Sequence, residues 1–559
     1  LFAASEPGVW YDPSDLTTMF QDTAGTTPVT TPGQTVALLL DKSKGLVLGS
    51  ELVTNGDFSG GTTGWTGGSG ATISVVSGGL FVEDPTSSGF ANQTVTTVAG
   101  TYYKITGQFV AATASCQPAV WVGTSNLTSN LLNLSLASGY TGTFTAYFLA
   151  TSTTSFLSIG YTAGPLQNVT IDNISVKELP GNHATQATAA SRPTYGIVPL
   201  GGRRNLLTWT EDYSNAIWAK SNLNTSAGRI TPTAVSGVHN ATQDVADFTD
   251  RVLTVEAKAD GYDLICLGSG IQTGPSVTLN LSSGAIARTA GAGVLSSSVV
   301  LLSDGYYRFS VVISQASRYD FGMHVTQPGG TGDPSVAWTG DGTSGVLVRN
   351  PQHETGSTAT AYQRVTTQYD VTEAGVQSLS YLSFDGVDDT LNTTVDANTL
   401  LGVSGTDPGY MVVGGVRFNT ASGVASAFSR SAFCGDTGGY FGMWAHTVNG
   451  GEAGLYHWYT GVNTSERPYT VGSTAVITGR RDPAVGASGT IYGSVNAVSA
   501  TGTSAAALNV VASLFTIGRQ FGSYMNGQLY SLIVRGLVTD AGTITSTETF
   551  VAGKTGVTL

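Results

Sequence analysis

The hydrophobic residues of this chain almost never recur at helical spacing, and that constrains its fold more than any other feature. They alternate instead. The runs ATISVVSGGLFVED at 71–84, TYYKITGQFVAA at 101–112, NVTIDNISVKEL at 168–179 and RVLTVEAKA at 251–259 show the pattern. It continues in GYYRFSVVIS at 305–314, YMVVGGVRF at 410–418 and GQLYSLIVRG at 527–536. Alternation rich in β-branched and aromatic residues is the signature of half-buried strands. Glycine-rich breaks recur about every ten residues, the rhythm of β-sandwiches. No repeat of solenoid length is present. The fold class that follows is all-β. The one helix expected spans Thr543 to Ala552, with Gly553 placed to end it.

Composition narrows the partners. Of 559 residues, 11% are charged while 41% are hydrophobic. A chain that apolar and that weakly charged can bury a core, so its wealth of glycine, serine and threonine signals short strands and turns rather than disorder. The length suits three or four domains. A net charge of −13, with 24 Lys and Arg spread along the chain, excludes the clustered basic surface that nucleic acid requires. The same charge disfavours anionic membranes and leaves neutral sugar surfaces or other proteins as the easier partners. No apolar run reaches membrane-spanning length, and no signal-peptide pattern opens the chain. It begins at Leu1 rather than a methionine, which leaves room for a leader or anchoring segment ahead of it. Cys116, Cys266 and Cys434 lack metal or disulfide spacing and read as buried thiols.

Three separated segments carry a resemblance. Residues 10–43 read WYDPSDLTTMFQDTAGTTPVTTPGQTVALLLDKS, residues 181–196 read GNHATQATAASRPTYG, and residues 381–391 read YLSFDGVDDTL. Together they resemble the opening of a concanavalin A-like (laminin G-like) sandwich of the kind found in bacteriophage virion proteins. In that family the three segments follow one another closely. Here about 135 and about 185 residues intervene. The resemblance therefore implies a discontinuous host sandwich, residues 1–45, 181–199 and 376–559, hosting two inserted β jelly rolls at 46–180 and 200–375. The first insert opens ELVTNGDFSGGTTGWT and closes NVTIDNISVKEL, similar to carbohydrate-binding modules whose end strands pair. The second opens RRNLLTWTEDYSNAIWAK and closes GVLVRNPQHETGSTATAYQRV, similar to a carbohydrate-binding-like module recurrent in phage fibres. An insert whose termini meet can be spliced into a loop without distorting its host.

Binding candidates are aromatic. In GMWAHTVNGGEAGLYHWYT at 442–460, two alternating runs flank Asn449-Gly450-Gly451, a hairpin turn signal. Trp444 and His446 share a face of the first run, and Tyr456 and Trp458 share a face of the second. Aromatic faces with polar edges suit sugar rings, although such residues also fill sandwich cores. Trp65 and Trp121 lie in the first insert, and Trp209, Trp218 and Trp338 in the second; Trp65, Trp209 and Trp218 fall in framing segments that favour the core, which leaves Trp121, in CQPAVWVGTS, the freer candidate. Tyr102 and Tyr103 are adjacent on one strand, so only one is expected in the core.

Catalytic signals are weak. The six histidines, His183, His239, His324, His353, His446 and His457, form no metal or catalytic motif, and His183 is expected to order its turn. Asp385, Asp388 and Asp389 in FDGVDD have the spacing of a turn, with structural calcium as an alternative and no other cofactor implied. The reading is a non-enzymatic phage head-fibre, decoration or tail-fibre protein at the virion surface. Its partners would be other virion proteins and a host-surface glycan, and a homo-oligomer, trimeric by analogy with fibres, is expected. The rivals are a purely architectural virion protein and a polysaccharide depolymerase using Asp385, Asp388, Glu452 or Glu466.

Overall fold

The computed structural model describes residues 1–559 apart from 4–5, 69, 163–165, 227, 246–249, 270–273, 315–320, 397–408, 420–424, 431–439, 447–451, 459–466, 483–488, 505–513, 521–522, 537 and 539. Residues 269, 395–396, 425–430, 440–446, 452–458, 467, 489, 491, 500, 502–504, 514, 520 and 523 are described by backbone alone. Nearly all regular structure is β, with one α-helix among the described residues. That helix is not long and apolar enough to cross a membrane. The alternating runs of the sequence are strands, including Tyr102–Ala112, Gln167–Leu179, Arg251–Asp260, Tyr410–Phe418 and Asn526–Gly536. Contacts gather into two compact units, residues 1–195 with 380–559, and residues 196–379.

In the first unit, the strands between residues 66 and 179 build two five-stranded antiparallel sheets. One runs, in spatial order, Leu132–Ser135, Pro118–Gly123, Thr154–Tyr161, Phe90–Thr96, Thr66–Gly68. The other runs Gly142–Leu149, Tyr102–Ala112, Gln167–Leu179, Gly79–Asp84, Thr72–Val76. Ile105, Phe109, Val120, Val122, Leu157 and Ile171 meet between them. Tyr103 joins this interior, while Tyr102 packs outside it with Tyr147 and Leu179 against Phe20, Leu38 and Leu40. Both tyrosines are therefore buried, at 4% and 2% exposure. Alternation did put them on opposite faces, but the outer face is covered by the N-terminal segment.

The rest of this unit is assembled from pieces far apart in sequence. Gly8–Tyr11 pairs with Leu532–Arg535, and Ala184–Thr185 lies between Leu38–Leu39 and Asn392–Thr393. The buried Asp41 carboxylate ties the ends together. Its oxygens accept from the N–H groups of Trp10 (2.8 Å), Ser43 (2.8 Å) and Asn182 (2.8 Å), and from the Ser43 hydroxyl (2.9 Å). The Asp41 N–H in turn donates to His183 Nδ1 at 2.9 Å. That bond leaves the proton on Nε2, which donates to the Leu179 carbonyl at 3.2 Å. The Tyr11 hydroxyl donates to the Asn182 carbonyl. His183 thus orders the turn it sits in.

The C-terminal helix spans Ala541–Thr555, longer at both ends than the sequence signals suggest. Asp540 caps it, accepting from the Thr543 N–H, and Gly556 at φ 69° ends it. Gly553 lies inside, where an added Cβ would meet nothing, so the helix runs past it at only the usual propensity cost of glycine. The helix packs Val551 and Ala552 on Met411, Val413, Val476 and Ile533. Its Lys554 pairs with buried Asp12 at 3.1 Å, and Lys42 pairs with the same carboxylate at 3.3 Å.

The second unit has two six-stranded sheets. One runs Ala219–Ser221, His239–Gln243, Phe321–Val325, Leu264–Ser269, Ser276–Asn280, Ile286–Ala290, and the other Leu223–Ser226, Arg229–Pro232, Gly345–Thr355, Arg251–Asp260, Tyr307–Ile313, Val294–Leu301. Trp218, Leu253, Val255, Phe309 and Phe321 fill the space between them.

Asp41→Ala should cost about 3 kcal/mol or more in chemical unfolding, because it strands the N–H groups of Ser43, Trp10 and Asn182, the first buried and the others partly so. A second expectation concerns acid. Burial lowers the His183 pKa from 6.5 to about 4. The unfolded chain then binds the extra proton between those values, so this group's contribution is complete above pH 6.5 and lost as pH falls toward 4. Asp41, whose pKa burial raises, works in the opposite sense. The difference between wild type and His183→Gln isolates the histidine's share. Melting temperatures from pH 7 to pH 4.5 should fall more steeply for the wild type.

Candidate functional site

The hairpin singled out by its aromatics is described by backbone alone. Strands Tyr440–His446 and Glu452–Trp458 pair antiparallel, with Trp444 opposite Gly454, His446 opposite Glu452, and Gly442 opposite Tyr456. Positions 444, 446, 456 and 458 are thereby in phase across the ladder. The side chains of Trp444, His446, Tyr456 and Trp458, and the turn at 449–451, lie outside the described residues. So do the side chain of Glu452, all of Glu466, and Cys434. Cys116 and Cys266 are buried free thiols.

Trp121 is described, and the register places it in a row. Thr66 pairs with Asn92, Asn92 with Ser158, Ser158 with Trp121, and Trp121 with Asn133. These five residues form one rung across all five strands of the sheet. Their neighbours along each strand, such as Ala91, Val120, Val122, Leu132, Leu157 and Ile159, fill the sandwich interior. The rung therefore lies on the opposite face. At about 4.8 Å between strands, it extends roughly 19 Å.

The rung is neutral, polar and partly roofed. Trp121 is half-buried and stacks on Phe90, with ring centroids 4.3 Å apart and planes at 29°. Ser158 is fully buried and Asn92 is 6% exposed. The loop after Pro118–Gly123 folds toward this face, with Leu127 Cδ2 within contact distance of a Cβ built on Gly68 beside Asn92. The loop is held by Thr124 N–H donating to Asn130 Oδ1 at 3.0 Å and Thr128 Oγ1 donating to the Ser125 carbonyl at 2.7 Å. Beneath this cover, Asn92 Oδ1, Ser158 Oγ and Trp121 Nε1 are buried without a hydrogen-bond partner among the described residues. Three such atoms on adjacent strands of one rung depart from the rule that buried polar groups are paired. The arrangement offers an acceptor, a hydroxyl and an indole donor to a polar ligand or to water.

Among the remaining aromatics, Trp65, Trp218 and Trp338 are buried, and Trp209 packs partly buried against the core of the second unit. Sequence reasoning found Trp121 but not Asn92, Ser158 or Asn133. Alternation signals that each faces outward, but nothing in a single strand signals that they align.

Asp385, Asp388 and Asp389 bring carboxylate oxygens within 4.8 Å of one another. The donors around them are those of a turn. Asp385 Oδ1 accepts from the N–H groups of Val387 (2.7 Å) and Asp388 (3.3 Å), and Asp389 Oδ2 accepts from the Asp385 N–H (3.0 Å). Asp388 Oδ2 accepts from the Ser191 hydroxyl at 2.7 Å, tying this turn to the GNHATQ…RP segment. Burial, and then the neighbouring Asp385 and Asp388 charges, push the Asp389 pKa up to about 7.

No protein-family model matches the chain, and no curated protein sequence matches it. Among solved structures, the chain has a likeness to the N-terminal CBM22-1–CBM22-2 tandem domain of Xyn10C from Paenibacillus barcinonensis. The identity is 12% over 55% of this chain and 98% of that chain, with a TM-score of 0.20. At that score the likeness bears on neither the site nor a ligand.

Asp389 yields a prediction with a definite sign. A carboxyl that titrates near 7 when folded and near 3.8 when unfolded gives the folded state the extra proton between those values. Stability from this group is present at low pH and declines as pH rises toward 7. Asp389→Asn should gain on the wild type between pH 5 and pH 8 in parallel thermal melts. A variant that instead lost ground over that range would refute the assignment.

Proposed function

We propose that this chain is a non-catalytic carbohydrate-binding protein of a bacteriophage particle, displayed at the virion surface as a head-fibre, decoration or tail-fibre component. The observation that carries the binding reading is the rung of Thr66, Asn92, Ser158, Trp121 and Asn133, with three buried polar atoms unpaired among the described residues beside an aromatic stack. Sugar rings offer hydroxyls to such atoms and C–H faces to aromatic rings. The absence of charge in the rung suits a neutral glycan. The phage assignment draws on the sequence resemblance of the DKS, GNHATQ…RP and FDGVDD segments. Multivalent display on a particle would raise weak single-site affinity to useful avidity.

The architectural alternative draws on the cover over the same rung, since Trp121 is only half-exposed and Leu127 approaches Asn92. A glycan array backed by host-cell binding separates the two. Trp121→Ala, paired with Asn92→Ala, should reduce glycan binding by about tenfold or more if the rung is the contact surface. Retention by these variants with loss in Trp444→Ala/Trp458→Ala would move the site to the 440–458 hairpin. No binding by the intact protein would favour architecture, and falling polysaccharide viscosity on incubation would favour the depolymerase.

A further inference from the structure

Beside the rung, the first unit holds a cavity of about 300 Å³ where the N-terminal segment crosses the edge of the two five-stranded sheets. One wall is the segment itself at Thr23 and Ala24, anchored by the Tyr147 N–H donating to the Ala24 carbonyl at 2.7 Å. The edge strand and the loop before it line the cavity too, with Ser129, Asn130 and Asn133. Tyr102, Tyr147 and Phe148 supply aromatic surface, and Tyr102 is hydrogen-bonded to Thr185, another lining residue. Tyr147 is fixed from behind by Phe20, with ring centroids 5.3 Å apart. Asn130 is fixed as well, its amide donating to Thr124 Oγ1 at 3.1 Å.

Its chemistry is restricted. Every lining residue is hydroxylic, amide, aromatic or aliphatic, and none carries a charge. A charged ligand would lose part of its hydration there without a counter-ion to offset the cost. The whole chain, at −13, further disfavours anions. The volume lies at the small end of ligand sites, near what one substituted sugar ring fills. A lining that combines aromatic rings with amides and hydroxyls matches a ring that has C–H faces and hydroxyl edges. Asn133 lines this cavity and also ends the rung.

We infer that the cavity is a separate subsite for one neutral pyranose ring, built jointly by the first pair of five-stranded sheets and the N-terminal segment that crosses them. This extends the carbohydrate-binding reading to a second place and can fail while the rung reading stands. Because Thr23 and Ala24 of the segment line the cavity together with the edge strand, occupancy also ties the segment to the sheet and raises thermal stability by linkage.

The test uses the full chain with glucose, galactose, mannose and N-acetylglucosamine as neutral probes, and glucuronate and N-acetylneuraminate as charged ones. Titration calorimetry and thermal shift are read together. Ser129→Trp and Thr23→Trp fill the cavity from different segments, so loss of folding in one leaves the other, each checked by its melt. The expected result is saturable binding of at least one neutral sugar that raises the melting temperature. That binding should fall by about tenfold or more in the filled variants. No saturable neutral-sugar binding by the intact chain overturns the inference, as does equal binding by a folded filled variant or tighter binding of a charged probe. If only the rung reading is wrong, single-sugar binding persists while Trp121→Ala leaves the glycan array unchanged.

Discussion

The first unit depends on one buried carboxylate. Asp41 receives the N–H groups of Trp10, Ser43 and Asn182, and its own N–H is received by His183. These residues come from three segments, around positions 10, 41–43 and 182–183, yet they share one hydrogen-bond network. Buried polar groups must be paired, so each segment is held in register by the cost of leaving the others unsatisfied. The sheet pairings of Gly8–Tyr11 with Leu532–Arg535 and of Ala184–Thr185 with Leu38–Leu39 then follow as extensions of that junction.

The same economy explains the turn at Asp385–Asp389. Its carboxylates gather because backbone N–H groups and the Ser191 hydroxyl need acceptors, and the raised pKa of Asp389 follows from its burial first and from the neighbouring acids second. The contrast with the rung is informative. There, Asn92, Ser158 and Trp121 bring donors and an acceptor together without satisfying them among the described residues. Unpaired buried groups carry a penalty, and a ligand able to pair them recovers it. That difference, satisfied in the turn and unsatisfied in the rung, is why the rung is the stronger candidate for binding.

Much of this was legible in the chain. Alternation located the strands because a half-buried strand must show one face to the core and one to solvent. The helix is signalled by the sequence, but not its ends. Gly553 looked like its stop, but the left-handed conformation that ends it is adopted by Gly556, and Asp540 caps it earlier. For Tyr102 and Tyr103, opposite faces were correctly assigned while the burial of the outer face was not, since it depends on Phe20, Leu38 and Leu40 arriving from elsewhere.

What the sequence by itself determined is therefore local: the β class, strand positions, and which side chains of each strand point together. These follow from a two-residue period that any one segment displays. What only the tertiary structure decided is alignment between strands and between distant segments. Asn92, Ser158, Trp121 and Asn133 became a rung because antiparallel register, set by long-range hydrogen bonding, placed them side by side. The cavity at Tyr147 and Ala24 exists because a segment more than a hundred residues away closes over the sheet edge. Such placements are decided by core packing and backbone pairing summed over the whole unit, and no single stretch of sequence contains them.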